Sequence, residues 1–313
     1  MELLNRIGRR LKLQDLHILM AVVQAGSMSK AAVLLNTGQS AISRSIGELE
    51  RALGVRLLER GPRGVEVTPY GRVLLDGGAA VFDDLRQTVR NIEFLSDPAA
   101  GEVRVGCNLS VAASFVSAVV DLVSRRFPRI VFRLVTMEAD ALRDLHDRKL
   151  DLVIMRKVDA ITDQRLGFES LFDDSFVVAV GAQSHWARRR RIALSELVGE
   201  LWVLPPPETP IGVAALEAFR ASGVDFPAVT AVIGPALVRI SLLATGRFVT
   251  MCSPSILRFP TRRPEIKTLP VKLPIAPVPI GIVTLNNRAL SPVAQLFIEH
   301  AREVAKPLAK YKK

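Results

Sequence analysis

Between Asn36 and Gly54 the chain reads NTGQSAISRSIGELERALG, and this stretch constrains the fold more than any other. Ile42, Ile46, Leu49 and Leu53 recur at steps of four, three and four, the spacing of a helix that buries one stripe. Asn36, Thr37 and Gly38 make a tight turn ahead of it, and Gly54 punctuates its end. With Gln39 at zero on a wheel of about 100° per residue, the four apolar side chains fall near 310°. Ser43, Gly47, Ser40 and Arg44 fill the arc from about 40° to 140°. That face is small, hydroxylic and ends in a guanidinium, where a solvated helix ordinarily carries Glu and Lys. It suits close approach to a duplex: Ser and the helix N-terminal amides bond phosphate, Gln reads adenine, and Arg reads guanine or pairs with phosphate.

The flanking segments fit the same reading. Leu16, Leu19, Met20 and Val23 are helically spaced, AGS at 25–27 breaks the run, and a second short helix carries Ala31, Ala32 and Leu35. Behind the third helix, VRLLERGPRGVEVTPYG (55–71) reads as two extended pieces around a Gly-Pro-Arg-Gly turn, a hairpin where a wing would follow a helix-turn-helix. From Tyr70 to Ser96, Leu74, Val81, Thr88 and Leu95 stand seven apart with Leu85 and Ile92 between them. This predicts a helix of roughly 40 Å that pairs with a second chain, although Gly77-Gly78 interrupts it. SDPAAGE (96–102) reads as a linker.

Beyond the linker, strands and helices alternate: VRVGC, a helix to about Phe127, VFRLVT, a helix to about Lys149, then LDLVIM. A second set has SFVVAVG, a helix near 210–222, AVTAVI, a helix near 235–245, and FVTMCS; IGIVTL and a helix from Ser291 close the chain. This is the rhythm of a parallel sheet with crossover helices, and it predicts two α/β lobes with a ligand cleft at their strand C-terminal ends. There is no exact internal repeat and no low-complexity tract.

Length and composition bound the function. A chain of 313 residues with 49% hydrophobic and 23% charged side chains forms two or three domains with real cores. Its 42 Lys and Arg against 31 Asp and Glu give +11, which points toward a polyanionic partner. Two cysteines, Cys107 and Cys252, form neither a disulfide framework nor a zinc spacing and fit a reducing cytosol. The four histidines (His17, His146, His185, His300) are scattered, and no GxSxG, P-loop or HExxH occurs, so an enzyme is disfavoured and neither metal nor cofactor is expected. Arg6, Arg9 and Arg10 before LHILMAVVQAGS imitate an export signal, but Asp15 and His17 interrupt it and a helical pattern restarts at once. No stretch approaches the roughly 20 apolar residues of a membrane span.

The first part of the chain closely resembles the LysR-type transcriptional regulators, with AGSMSKAA, QSAISRSI, LE, LG, LLER and TPYG in register. The resemblance covers the whole chain and implies an α/β protein overall. A winged helix-turn-helix occupies 11–68, a linker and dimerisation helix 69–96, a hinge 97–102, and a two-lobed effector domain of the periplasmic-binding-protein type 103–313. Lobe I takes about 103–173 and 279–306, and lobe II about 174–278. The function implied is sequence-specific regulation of transcription, controlled by a small molecule held between the lobes; a solute-binding protein or an enzyme using the α/β lobes is the alternative. A cytoplasmic homodimer or homotetramer on double-stranded promoter DNA follows, with RNA polymerase as a further partner and no membrane. Carried over residue by residue, DNA contacts fall on Gln39, Ser40, Ser43, Arg44 and Arg60, and Arg63 meets phosphate by its position at the wing tip. Gly47 departs from the family, where a longer residue is common.

For the effector, Cys107, Asn108 and Ser110 stand at the start of a helix, where amides and dipole favour an anion. The family's second lining turn points to Thr136, Met137 and Glu138, and the carboxylate of Glu138 works against an anionic effector unless an Arg offsets it. LPPPETPIG offers Thr209 from the second lobe, and Cys252 lies at another strand end. The wide separation of the two cysteines does not match the family's peroxide sensors. The ARRRR run at 187–191 is read as a solvated charge cluster, with a second nucleic-acid patch as the alternative.

Overall fold

The structure is a computed structural model that describes residues 11–61, 64–136, 141–157, 163–258 and 265–309. The chain divides into two compact units, residues 1–88 and 89–313.

In the first unit, α1 (Leu13–Ala25), α2 (Met28–Leu34) and α3 (Gln39–Leu53) enclose a core of Leu19, Val22, Ala31, Ile42, Ile46 and Leu49. Ser27 caps α2 by accepting from the Lys30 amide at 3.2 Å. The Ser45 hydroxyl donates to Asp15 Oδ1 at 2.6 Å and ties α3 to α1. The hairpin is present as β1 (Leu58–Gly61) and β2 (Gly64–Val67), antiparallel with Leu58 opposite Val67. Its base is held by Glu50 Oε1, which accepts from the Leu57 and Leu58 amides at 2.8 and 3.2 Å. Thr68 donates to the Arg56 carbonyl at 2.8 Å and accepts from the Gly71 amide at 3.0 Å, so one hydroxyl closes the wing and opens α4 (Pro69–Ser96). Glycine is required at 71, because a Cβ there would stand 2.2 Å from the Leu57 carbonyl oxygen. Gly78 likewise lets α4 approach Leu16, so half of the Gly-Gly pair that breaks the heptad serves packing.

The second unit holds two five-stranded sheets. Lobe I contains β3 (Ala100–Cys107), β4 (Arg129–Thr136), β5 (Leu152–Arg156), β6 (Leu166–Asp174) and β12 (Val278–Leu285) in the order β4-β3-β5-β12-β6. Lobe II contains β7 (Val177–Gly181), β8 (Leu201–Leu204), β9 (Val229–Val232), β10 (Phe248–Cys252) and β11 (Ile266–Thr268) in the order β11-β7-β10-β8-β9. The two sheets share one plan: three parallel strands, then an antiparallel strand, then an outer strand. The antiparallel strand of each lobe is the one the chain enters on crossing from the other, β6 to β7 and β11 to β12. The purely parallel expectation is therefore corrected. The chain leaves each lobe at the C-terminal side of its parallel strands and enters the other from that same side, so the entering strand runs opposite to them, as β7 does in lobe II and β12 does between β5 and β6. The expectation also left out β6 and β11, whose apolar and polar residues follow no clean alternation, and β8, a run of only four apolar residues.

Helices cover the sheets. A run through α5 (Leu109–Val111), a π-helical stretch Ala112–Val116 and α6 (Ser117–Arg126), together with α11 (Pro292–Ala309), buries Phe115, Val119, Val123 and Phe297 on lobe I. The helix α7 (Ala141–His146) places Leu145 against Val153 and Val283 on the opposite face. In lobe II, α8 (Pro210–Ala221) and α9 (Ala236–Leu243) flank a core of Trp202, Phe219, Val249 and Met251 and a second one around Ile240 and Cys252. The supposed hinge is shorter than expected, since Ala100 to Glu102 already pair with Arg129 to Val131.

One buried carboxylate joins these parts of lobe I. Asp151, 1% exposed, accepts from the Arg104 amide at 2.8 Å and from Arg288 at 3.1 Å, with Arg90 of α4 at 3.4 Å. Substituting Gly71→Ala is expected to destabilise the first unit by about 3 kcal/mol, the upper range for overpacking. A urea melt of that variant with an unchanged midpoint would contradict the role given to the Leu57 carbonyl.

Candidate functional sites

The first candidate is the outer face of α3. Its apolar stripe is spent on the core, with Ile42 and Leu49 fully buried. Gln39, Ser40 and Arg44 are exposed and Ser43 is half-buried. The N-cap is Gly38, which offers no side chain, so the hydroxyls of the turn are not used to cap the helix. Arg44 has no carboxylate within ion-pair distance among the described residues. Gly47 lies between these side chains on the wheel, and a Cβ built there meets nothing within 4 Å. No contact within the chain therefore requires glycine at this position. A glycine inside a helix costs about 1 kcal/mol relative to alanine. Arg60 stands opposite Val65 in the hairpin, but its side chain and the whole of Arg63 lie outside the described residues.

The second candidate lies where the two sheets present their strand C-terminal ends. The start of α5 contacts α9, and α10 (Ser255–Arg258) packs on the π-helical stretch, so the ends of β3, β9 and β10 face one another across the lobes. Asn108 caps α5, its Oδ1 accepting from the Val111 amide at 2.9 Å. Ser110 is half-buried, and Thr136 is exposed at the end of β4, opposite Cys107 in the strand register. Met137 and Glu138 lie outside the described residues.

Two expected lining residues turn out otherwise. Cys107 points into the lobe I core and is completely buried, because alternation along β3 sends it to the same side as Val103 and Val105. Thr209 is committed to its own loop: it donates to the Pro206 carbonyl at 2.7 Å and accepts from the Gly212 amide at 3.2 Å, capping α8. Cys252 is buried in lobe II, in a different cluster. Burial pushes the Cys107 thiol up to about 11 and the Cys252 thiol up to about 12. Both are thus protonated at neutral pH, and thiol reactivity requires the thiolate.

A polar cluster that sequence reasoning missed bridges the lobes here. Asp174, at the end of β6, accepts from Arg156 of β5 and from the Ser253 hydroxyl at 2.6 and 2.8 Å. Ser253 lies 2.6 Å from Ser255, and the Arg156 guanidinium stands 5.1 Å over the Phe176 ring. Burial raises the Asp174 carboxyl above its ordinary range, while Arg156 and Ser253 pull it back. Nearby on α9, Arg239 is 1% exposed and donates to the Ile233 and Gly234 carbonyls at 2.6 and 2.7 Å. No local motif marks Asp174, since Arg156 and Ser253 stand 18 and 79 residues from it in the sequence.

Comparison with known proteins bears on both sites. Residues 13–72 match the family described as bacterial regulatory helix-turn-helix protein, lysR family. Residues 96–306 match the LysR substrate binding domain. The chain is 25% identical over 296 residues to the HTH-type transcriptional regulator GbpR of Azospirillum brasilense, covering 94% of this chain and 86% of that one. It is 27% identical over 303 residues to the transcriptional dual regulator GltC of Bacillus subtilis, covering 96% and 100%. Its fold is similar to full-length OxyR from Pseudomonas aeruginosa, with a TM-score of 0.64 and 19% identity over 97% of this chain and 99% of that one.

Two measurements check these sites. Gly47→Ala is expected to raise stability by about 1 kcal/mol, from helix propensity alone, since the new methyl meets only open space; a drop in the urea midpoint would contradict this. In the native protein at pH 8, iodoacetamide is expected to leave Cys107 and Cys252 unmodified and to label both in urea. Mass spectrometry showing fast native alkylation at either residue would refute their protonated, buried state.

Proposed function

The chain belongs to the LysR family of bacterial transcriptional regulators, and from that premise we propose how its parts act. It is a DNA-binding regulator with an effector domain, not an enzyme. In the proposed complex, α3 enters the major groove with Gln39, Ser40, Ser43 and Arg44 toward base edges and phosphates, and Arg60 and Arg63 of the wing meet the backbone. The observation that carries this is the face of α3. It is exposed, no side chain caps the helix, and it is opened by a glycine that no internal contact requires.

The effector is a small molecule held between the lobes near Asn108, Ser110, Thr136 and Glu138, with the 205–209 loop closing from lobe II. Helix starts after β3, β8 and β9 supply amides there, which favours a polar or anionic group. Closure of the lobes then shifts the population between states that hold DNA differently.

The functional form is a cytoplasmic homodimer or homotetramer, paired through α4. Val81, Leu85, Ile92 and Leu95 form one stripe on that helix and stand 43 to 81% exposed in the single chain, which supports a partner helix. Among the described residues no single helix is long and apolar enough to cross a membrane. The functional division is 11–68 for DNA, 69–96 for pairing, a hinge at the start of 97–102, where Ala100 to Glu102 already belong to β3, and 103–313 for the effector, and the promoter-bound oligomer meets RNA polymerase.

Arg44→Ala is expected to weaken binding to the operator by about 1–3 kcal/mol, the worth of one base-reading arginine, while oligomerisation and thermal stability stay as in the wild type. Footprinting on duplex DNA from the promoter region of the protein's own gene measures this. Unchanged affinity and selectivity in that variant would remove α3 as the reading helix.

A further inference from the structure

The excess positive charge of the chain is concentrated away from the DNA-binding unit. Residues 1–88 carry 12 Lys and Arg against 9 Asp and Glu, a net +3 of the total +11. Residues 175–278, the second lobe, carry 12 against 6, a net +6. The ARRRR run is the densest part of it, and its surroundings differ from those of a loosely solvated loop.

The run is held in place at both ends. Ser184 accepts from the Trp186 amide at 3.3 Å and caps the short helical turn His185–Arg188. Trp186 is buried, and the Arg189 guanidinium stands 5.6 Å from its ring centroid and 3.6 Å from Glu196. Ile192 and Leu194 are buried just beyond. Between these anchors the backbone at Arg189 is extended, with φ −75° and ψ 140°. Arg188, Arg190 and Arg191 are exposed, and none has a carboxylate within ion-pair distance among the described residues. Arg191 also lines a groove of about 740 Å³ with Lys272 and Ser195; the Ser222 hydroxyl in the same groove is spent on the Ala218 carbonyl at 2.7 Å. The groove's carboxylate, Glu196, is engaged by Arg189 and by the Ala193 amide at 2.8 Å.

We propose that this surface of lobe II is a second, sequence-independent contact for the phosphate backbone of double-stranded DNA. Its features are those of backbone binding: guanidiniums with no ion-pair partner among the described residues, the Ser195 hydroxyl beside them, and a backbone anchored at both ends of the run. A protein partner would call for an apolar centre, and none of the large exposed apolar side chains of the lobe lines this groove. The inference rests on the reading of the chain as a DNA-binding protein but not on which residues of α3 read bases.

The test uses the full chain and a mixed-sequence duplex of about 60 base pairs, with affinity followed by fluorescence anisotropy across a salt series. The variant is Arg188→Gln, Arg190→Gln, Arg191→Gln, which spares the pinned Arg189. Three lost phosphate contacts at about 0.9 each are expected to flatten the slope of log K against log salt by about 2.7. The same change is expected in an Arg44→Ala background, so a failure of the α3 reading leaves this result standing. The three-lysine counterpart keeps the point charges and is expected to retain most of the slope. An unchanged slope in the glutamine variant, or an equal loss in the lysine variant, overturns the proposal, as does selective loss of binding to an acidic polypeptide with DNA binding intact.

Discussion

Lobe I is organised around the carboxylate of Asp151. A buried charge is tolerable only when its oxygens are filled, and the desolvation cost of leaving it unpaired is several kcal/mol. Here one oxygen takes the Arg104 amide, and the other faces Arg288, Arg104 and Arg90. These partners come from β3, from the turn after β12, and from the last turns of α4. Satisfying one group therefore sets the start of β5 beside β3, returns the chain to lobe I after its excursion through lobe II, and secures the end of α4. The Asp151 amide completes the arrangement by donating to the Arg104 carbonyl at 2.8 Å.

A second polar centre, Asp174 with Arg156, Ser253 and Ser255, does for the lobes what Asp151 does within one of them. It sits where β6 hands the chain to lobe II, and Ser253 reaches it from the end of β10. Movement of one lobe against the other has to keep or replace these bonds. In a dry interior their loss is costly, which favours discrete arrangements over continuous sliding. The strand C-terminal ends and this cluster are thus parts of one region, built from both lobes.

Much of the DNA-binding unit was legible in advance because its contacts are local. The helices at 13–25, 28–34 and 39–53, the turn at 36–38 and the hairpin at 58–67 follow from periodicity and turn residues within windows of about 15 residues. The orientation of α3 followed as well, since four apolar side chains on one arc leave only one face outward. Gly47 stayed unexplained in the sequence, and the structure narrows the question: its space is open, so no contact among the described residues requires it. Gly71 and Gly78 could not be told apart from flexible glycines until Leu57 and Leu16 were seen against them.

The effector half was legible as a rhythm but not as a topology. Runs such as LDLVIM and SFVVAVG are apolar on both faces and announce buried strands by themselves. By itself, then, the sequence determined the helix-turn-helix, its outward face, the α/β character of the remainder and the excess of positive charge, because each depends on residues close together in the chain. Only the tertiary structure decided that β7 and β12 run antiparallel, that Cys107 faces a core and Thr209 its own loop, that Asp151 gathers arginines from β3, α4 and the turn after β12, and that Asp174 meets Arg156. Strand direction and buried charge are settled by partners from distant parts of the chain, and some of them, such as Arg288 and β12, arrive only after the chain has crossed between the lobes twice, so no local pattern encodes the meeting.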